Sequence, residues 1–258
     1  MAAIFCDTDC ELWYTHAREL NLEVIRMPYT IDGEEKLCDL GEETDSHDFY
    51  TKMRNGASAS TAGLNQQIYY DTFEPFFKRG EDILYIAFSS KLSGTFEYLD
   101  LAIAELKKQY PNVKFRKFDT LNICMGAGLL VYMAGKYCRE HGDDIDATYA
   151  YLERNVSKVG IYFVVDDMKY LARGGRISPA KAKIGNLMNI KPVLTVEDGK
   201  LTYTTDYING IVFVDVNPQG LEAWKIYVIV GACVLFALIV VATVVTIAVK
   251  KSKLKKIA

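Results

Sequence analysis

Histidine is scarce in this chain: His16, His47 and His141 are the only three among 258 residues, far apart and without helical pairing, so no imidazole metal site is expected. Cysteine is present but never as a C-x-x-C pair. Of Cys6, Cys10, Cys38, Cys124, Cys138 and Cys233, the last falls inside a very apolar run and leaves five for the body, an odd number. A disulfide framework is not expected at this size, and free thiols in a reducing compartment are the simpler expectation. The opening Met1-Ala2-Ala3-Ile4-Phe5-Cys6 lacks the basic n-region of a secretory signal and reads as a first strand. There is no internal repeat and no low-complexity segment. Basic residues cluster only at the end, where Lys250, Lys251, Lys253, Lys255 and Lys256 fall. Without those five lysines the net charge passes from −3 to −8, and an acidic body argues against nucleic acid as a partner.

What the chain does have is apolar surface: 50% of residues are hydrophobic and 24% charged, enough for a substantial core. The length suits one large or two modest domains of about 100–200 residues each. The organising stretch is Ile83-Leu84-Tyr85-Ile86-Ala87-Phe88, an apolar run of the kind that a strand covered on both faces requires. It runs into Ser89-Ser90-Lys91-Leu92-Ser93-Gly94-Thr95. Four hydroxyls past the carboxyl end of a central strand occupy the place where open α/β sheets bind ligands, and Gly94 admits a close backbone approach. The same spacing also fits an ordinary loop whose hydroxyls cap the next helix.

Elements alternate along the rest. Helices are expected at 11–20, 45–53, 66–78, 95–109, 122–139 and 144–155, with Pro111 stopping the fourth. In the third, Ile68, Phe73, Phe76 and Phe77 share one face with Tyr69 and Tyr70 at its edge. Strands are expected at 22–27, 113–118, 161–165 and 200–204, and Ile31-Asp32-Gly33-Glu34 carries hairpin turn residues. This order predicts an α/β fold, a mostly parallel sheet with flanking helices. The helix over 122–139 is rich in small residues (Gly126, Ala127, Gly128, Ala134, Gly135), which implies that a neighbour or a ligand comes close there.

Several blocks, in order, resemble the DegV family of bacterial fatty-acid-binding proteins. They are Asp7-Thr8-Asp9-Cys10-Glu11-Leu12, Met27 to Glu35, Ser58-Ala59-Ser60-Thr61-Ala62, Ser89 to Thr95, Tyr162 to Leu171, Gly174-Gly175-Arg176-Ile177-Ser178 and Asn189 to Leu194. Together they span roughly residues 2 to 204. The resemblance implies two domains, one over 1–157 and a second, incomplete α/β domain over 158–205, with a fatty acid lying between them. It implies that Thr61 and Ser93 donate to the acyl carboxylate and that Arg176 supplies the cation, with Ser60, Gly94 and Thr95 as further candidates. It also implies no catalysis by the protein itself and no cofactor: a separate ATP-dependent kinase takes the presented carboxylate to acyl phosphate. The family chain continues for further elements, including a histidine-bearing segment near the carboxylate, where this one has 206–225, which resembles nothing identified.

Two other readings stand beside this. Asp7-Thr8-Asp9 after an apolar strand, with Ser89 and Asp166-Asp167 following, also resembles haloacid-dehalogenase-like phosphatases, in which Asp7 would be the nucleophile and Asp9 the general acid around magnesium. Glu11 departs from that motif, and the later blocks are left unexplained. The third reading is a degenerate fragment that binds nothing, because one wall of the tunnel is missing. Finally, Ile226 to Val249 holds no charged residue over 24 positions, longer at ~1.5 Å per residue than a bilayer's core of ~30 Å, and is expected to be a single transmembrane helix. Trp224 and Tyr227 stand at one end and the basic tail 250–258 at the other. The lysines favour an outside body by the positive-inside bias, whereas the free cysteines and the acyl-chain chemistry favour a membrane protein whose body faces the cytoplasm, which is the expectation adopted.

Overall fold

The computed structural model describes residues 2–165, 167–175, 177–180, 183 and 193–203, all within one compact unit, Met1–Gly210. In chain order the elements are β1 (Ala2–Asp7), α1 (Tyr14–Glu19), β2 (Glu23–Ile25), β3 (Pro28–Ile31), β4 (Glu34–Leu37), α2 (Ser46–Arg54), β5 (Ala59–Thr61), α3 (Gln66–Arg79), β6 (Asp82–Ala87), α4 (Thr95–Gln109), β7 (Phe115–Asp119), α5 (Cys124–Glu140), α6 (Ile145–Asn155), β8 (Tyr162–Val164), α7 (Lys169–Arg173), β9 (Val193–Glu197) and β10 (Lys200–Tyr203).

The central sheet has the order β2-β1-β6-β7 and every pair in it is parallel, with Ala2 to Cys6 registered against Asp82 to Ile86. Alternation along β1 and β6 divides the core in two. Phe5, Ile83, Tyr85 and Ala87 pack with Tyr69, Phe73 and Phe77 of α3 and Leu99, Ala102 and Leu106 of α4. Ile4, Cys6, Leu84 and Ile86 pack on the other face with Ala127, Leu130, Val131, Ala134 and Cys138 of α5 and Leu152 of α6. Each large side chain buried in this way contributes ~1.5–3 kcal/mol, so β6, apolar on both faces, anchors the domain. The α/β expectation with a parallel, helix-flanked sheet holds.

Differences from the sequence reading are local. The helix expected over 11–20 shortens to α1 because Thr8–Cys10 forms a 3-10 turn that ends at Glu11 in the left-handed region (φ +49°). In α3 the buried stripe is Tyr69, Phe73 and Phe77, at i, i+4 and i+8, while Ile68 is exposed. Two antiparallel three-stranded sheets, β4-β3-β5 and β10-β9-β8, accompany the parallel one. The β3–β4 hairpin turns at Asp32 and Gly33, both at positive φ as its two-residue loop requires. Crowding along α5 comes from neighbours in the chain: a Cβ at Gly128 would lie 2.4 Å from the Cys10 carbonyl oxygen, and one at Gly135 within 3.2 Å of Leu20 and Leu22. The connector 206–225, the apolar segment 226–249 and the tail 250–258 lie outside the described residues. Among the described residues no helix is long and apolar enough to cross a membrane.

Candidate functional site

β6 ends at Ala87 and the chain passes through Phe88–Gly94 into α4. The first half of this turn is fixed by the protein itself. The Ser89 amide donates to the Asn122 carbonyl (2.8 Å), the Lys91 amide donates to Ser89 Oγ (3.2 Å), and the Ser90 amide reaches Asp119 Oδ1 (3.3 Å). Ser89 Oγ in turn donates to the Gly199 carbonyl at 2.6 Å, so the tip of the β9–β10 hairpin sits on the turn. Gly199 has φ +78°, and a Cβ there would lie 2.6 Å from Ser89 Oγ, which leaves room only for glycine.

The second half is different. Ser93 is half-buried, Gly94 is exposed, and a Cβ at Gly94 would meet nothing within 4 Å. Gly94 is the N-cap of α4, and among the described residues no side chain hydrogen-bonds the first turn. Among the described residues, then, no hydroxyl of this turn caps the helix: the Glu97 amide bonds to the Gly94 carbonyl at 3.3 Å, and the N–H groups at the start of this 15-residue helix take no side-chain partner.

β5 brings the other motif to this place. Thr61 pairs with Tyr29 and Ser60 with Thr30 across β3, so their side chains point to opposite faces. Ser60 Oγ is 2.7 Å from Thr30 Oγ1, whereas Thr61 is exposed. Two residues beyond Thr61, Gly63 packs on Thr95, where a Cβ would come within 3.3 Å of Thr95 Cγ2. Thr95 is buried. Of the candidate hydroxyls, Ser60 is engaged internally and Thr95 is buried, while neither Thr61 nor Ser93 hydrogen-bonds through its side chain to a described residue. Arg176 lies outside the described residues, as does Asp166.

Beneath the turn is a group that the sequence offered only as a nucleophile. Asp7 is fully buried; its Oδ2 accepts from the Tyr85 hydroxyl (2.9 Å) and the Phe88 amide (3.3 Å), and its Oδ1 from the Asp9 amide (3.1 Å). Burial, then the nearby Asp9 charge, pushes its carboxyl up to about 7 against these hydrogen bonds. Asp9 is pushed up to about 6 by burial and by Glu11. A nucleophile must face its substrate, yet Asp7 is turned into the core, Ser89 is held by Gly199, and Asp167 is hydrogen-bonded to the Lys169 amide and ion-paired with its ammonium. Among the described residues no group of His, Cys, Asp and Glu is arranged for a metal. Among the described residues the phosphatase arrangement is not assembled. The signal that sequence reasoning missed was Tyr85 itself, a hydroxyl in the middle of a strand buried on both faces, which must find a polar partner.

A separate cleft of about 290 Å³ lies at the β2 edge, lined by Tyr14, Arg18, Leu22, Val24, Arg26 and Glu42. Arg18 and Arg26 both pair with Glu42 there.

The family model described as "Uncharacterised protein, DegV family" matches residues 1–207. A DegV domain-containing protein of Clostridium perfringens is 38% identical over 195 residues, 76% of this chain and 67% of the relative. A DegV family protein from Thermus thermophilus, described by its fatty acid binding, superposes with a TM-score of 0.67 at 26% identity, over 81% of this chain and 72% of that one. A stearic acid-binding protein from Eubacterium ventriosum superposes with a TM-score of 0.70 at 20% identity over 81% and 71%, a likeness of fold alone. A family match across the whole parallel sheet, its turn and the β9–β10 hairpin, with a relative at this level of identity, is decisive: the chain belongs to the DegV family.

Proposed function

We propose that the protein binds a long-chain fatty acid and holds its carboxylate at the start of α4 with Ser93 and Thr61, and with Arg176 as the cation. The observation that carries this is the first turn of α4, capped by no described side chain, preceded by Ser93 and packed at Thr95 on Gly63 two residues past Thr61; no described residue engages the Ser93 or Thr61 hydroxyl, while those of Ser60 and Ser89 are engaged. Hydroxyls and helix N–H groups donate to a carboxylate without burying a second charge, and such charge-assisted bonds are about twice as strong as neutral ones. The fatty acid binding that describes the Thermus thermophilus relative supports the same ligand class. Organic extraction of the purified full chain followed by mass spectrometry tests it. Stoichiometric fatty acid in the wild type, lost in the Thr61→Ala, Ser93→Ala double variant, is expected; an extract free of fatty acid overturns the reading.

On this reading the protein is a carrier and the chemistry belongs to a partner, a separate ATP-dependent fatty-acid kinase that takes the exposed carboxylate to acyl phosphate. Adding the carrier to such a kinase should raise acyl phosphate formation, and no change in rate would count against the partnership. The apolar segment 226–249 would tie the carrier to the membrane with its body in the cytoplasm, near its acyl chains. Fractionation should find the full chain in membranes, and digestion of the body by protease added to intact cells would overturn that facing.

A further inference from the structure

The cleft at the β2 edge joins an apolar wall to two cations that meet over it. Its rim is the segment after β4, which Asp39 fixes: that carboxylate accepts from the amides of Gly41 (3.0 Å), Glu43 (2.9 Å) and Thr44 (2.9 Å) and from the Thr44 hydroxyl (3.0 Å). The Tyr14 amide donates to the Leu40 carbonyl at 3.2 Å, and Trp13 packs on Gly41, where a Cβ would come within 2.4 Å of its ring. Rim and α1 are thus set before anything enters. Arg18 comes from α1 and Arg26 from the residue after β2, and each places its Nη2 on a different oxygen of Glu42, Arg26 at 2.8 Å. The Arg18 guanidinium also stands over the Tyr14 ring, 5.3 Å from its centre. The Tyr14 hydroxyl, in the lining of the same cleft, hydrogen-bonds to no described residue.

We propose that this cleft binds a small organic anion, a carboxylate or a phosphate ester on a compact apolar body, and that Glu42 is its built-in competitor. Glu42 displays the geometry that such a ligand takes: two oxygens side by side, one to each guanidinium, the arrangement to which the arginine fork is matched. Its own hold is of a weak kind. The Arg18 and Arg26 side chains are 66% and 50% exposed and that of Glu42 25%, and ion pairs so open to water contribute little. Glu42 leaves by rotating its side chain alone, because the bonds that fix the rim run from its neighbours to Asp39 and not to its carboxylate. An incoming anion with an apolar body gains what Glu42 lacks, burial against Ala17, Leu22 and Val24. A volume of about 290 Å³ suits a single ring or a short branched chain rather than a long acyl chain. In the parallel sheet β1 separates β2 from β6, so this cleft is not the α4 turn, and the inference does not rest on the fatty-acid reading.

Benzoate and phenyl phosphate share a ring and differ in the anionic group, so they are the probes. Each is titrated at millimolar concentration into the purified full chain, and the amide chemical shifts of Leu22, Val24 and Gly41 report binding at this cleft. Wild type should bind at least one probe, and the tighter of the two names the anionic group. Glu42→Gln removes the competing charge and should bind that probe about tenfold tighter. Adding Arg18→Ala and Arg26→Ala to Glu42→Gln should abolish the shifts, whereas the Thr61→Ala, Ser93→Ala double variant should keep them. Arg26→Lys retains the charge but not the fork and should weaken binding about tenfold, which decides the matter should the alanine variants fail to fold. Absence of shifts with both probes in folded Glu42→Gln overturns the proposal. So does binding that is indifferent to the loss of both arginines or to Arg26→Lys, and so does a Glu42→Gln protein that binds no more tightly than wild type.

Discussion

Raising the pH through neutrality should destabilise this protein, and most of the loss should trace to one carboxyl. Asp7 passes from an ordinary 3.8 to about 7 on folding. Between those values the native state holds a proton that the unfolded chain releases, so stability falls by ~1.4 kcal/mol per pH unit. Below the lower value both states are protonated and above the higher one both are ionised, so Asp7 contributes no slope outside the window. Over the whole window the loss is ~4 kcal/mol, and between about pH 5 and about pH 8 it is ~3 kcal/mol. Asp9, pushed up to about 6, acts in the same sense over a shorter range, and because each charge raises the other's cost the two are not summed. Asp39, Glu81 and Asp146, which hydrogen bonds or ion pairs hold below the carboxylate range, act oppositely but only in acid. Urea unfolding of wild type and Asp7→Asn at the two pH values is the assay. The variant sets an amide NH₂ against the Asp9 N–H or the Tyr85 hydroxyl, at a cost of ~1 kcal/mol that does not vary with pH. Wild type should be the more stable at acid pH, and the variant should close most of that gap. A wild type no less stable at about pH 8 than at about pH 5, or an Asp7→Asn protein with the wild-type slope, would refute the assignment of a buried, protonated carboxyl.

Ser93→Ala and Thr61→Ala should each weaken fatty-acid binding by ~1–3 kcal/mol, about 5- to 150-fold, with an unchanged melting curve, since neither hydroxyl bonds to a described residue. Gly199→Ala should cost ~1–3 kcal/mol of stability and loosen the hairpin from the turn, because its φ is +78° and its Cβ would meet Ser89 Oγ at 2.6 Å; amide exchange at Ser89 and Lys91 should rise. Gly128→Ala should be worse tolerated than Gly94→Ala, for the first drives a Cβ to 2.4 Å from the Cys10 carbonyl and the second meets open space; soluble yield and melting temperature would show the contrast.

Much of the fold was legible because one physical rule operated at a time. The apolar run 83–88 had to be covered on both faces, and it lies between the two halves of the core. Thr95 and Pro111 bracket α4, which spans Thr95–Gln109 as expected. The rule failed where pairing rather than burial makes the element. β5 is short, with Ser60 and Thr61 exposed, so its apolar pattern is silent, and only its hydrogen bonds to β3 make it a strand. The left-handed Glu11 that shortens α1 was equally silent, since nothing in Asp-Cys-Glu-Leu demands it.

The site divides along the same line. Its outer half could be read from contiguous hydroxyls, because Ser93, Gly94 and Thr95 are neighbours in the chain. Its inner half could not, because Asp7 and Tyr85 come from a first strand and a central strand and meet only when β1 registers beside β6. Register decides the chemistry: Phe5 faces Tyr85 across the pair and Asp7 lies two residues further along the same strand, on the same face. A slip of one residue would turn Asp7 toward the α5 side and leave the Tyr85 hydroxyl buried without a partner, at a cost of ~1–3 kcal/mol. The Asp-x-Asp pattern that suggested a phosphatase is thus explained without catalysis. The first aspartate accepts the hydroxyl that β6 buries, and the second raises the proton affinity of the first.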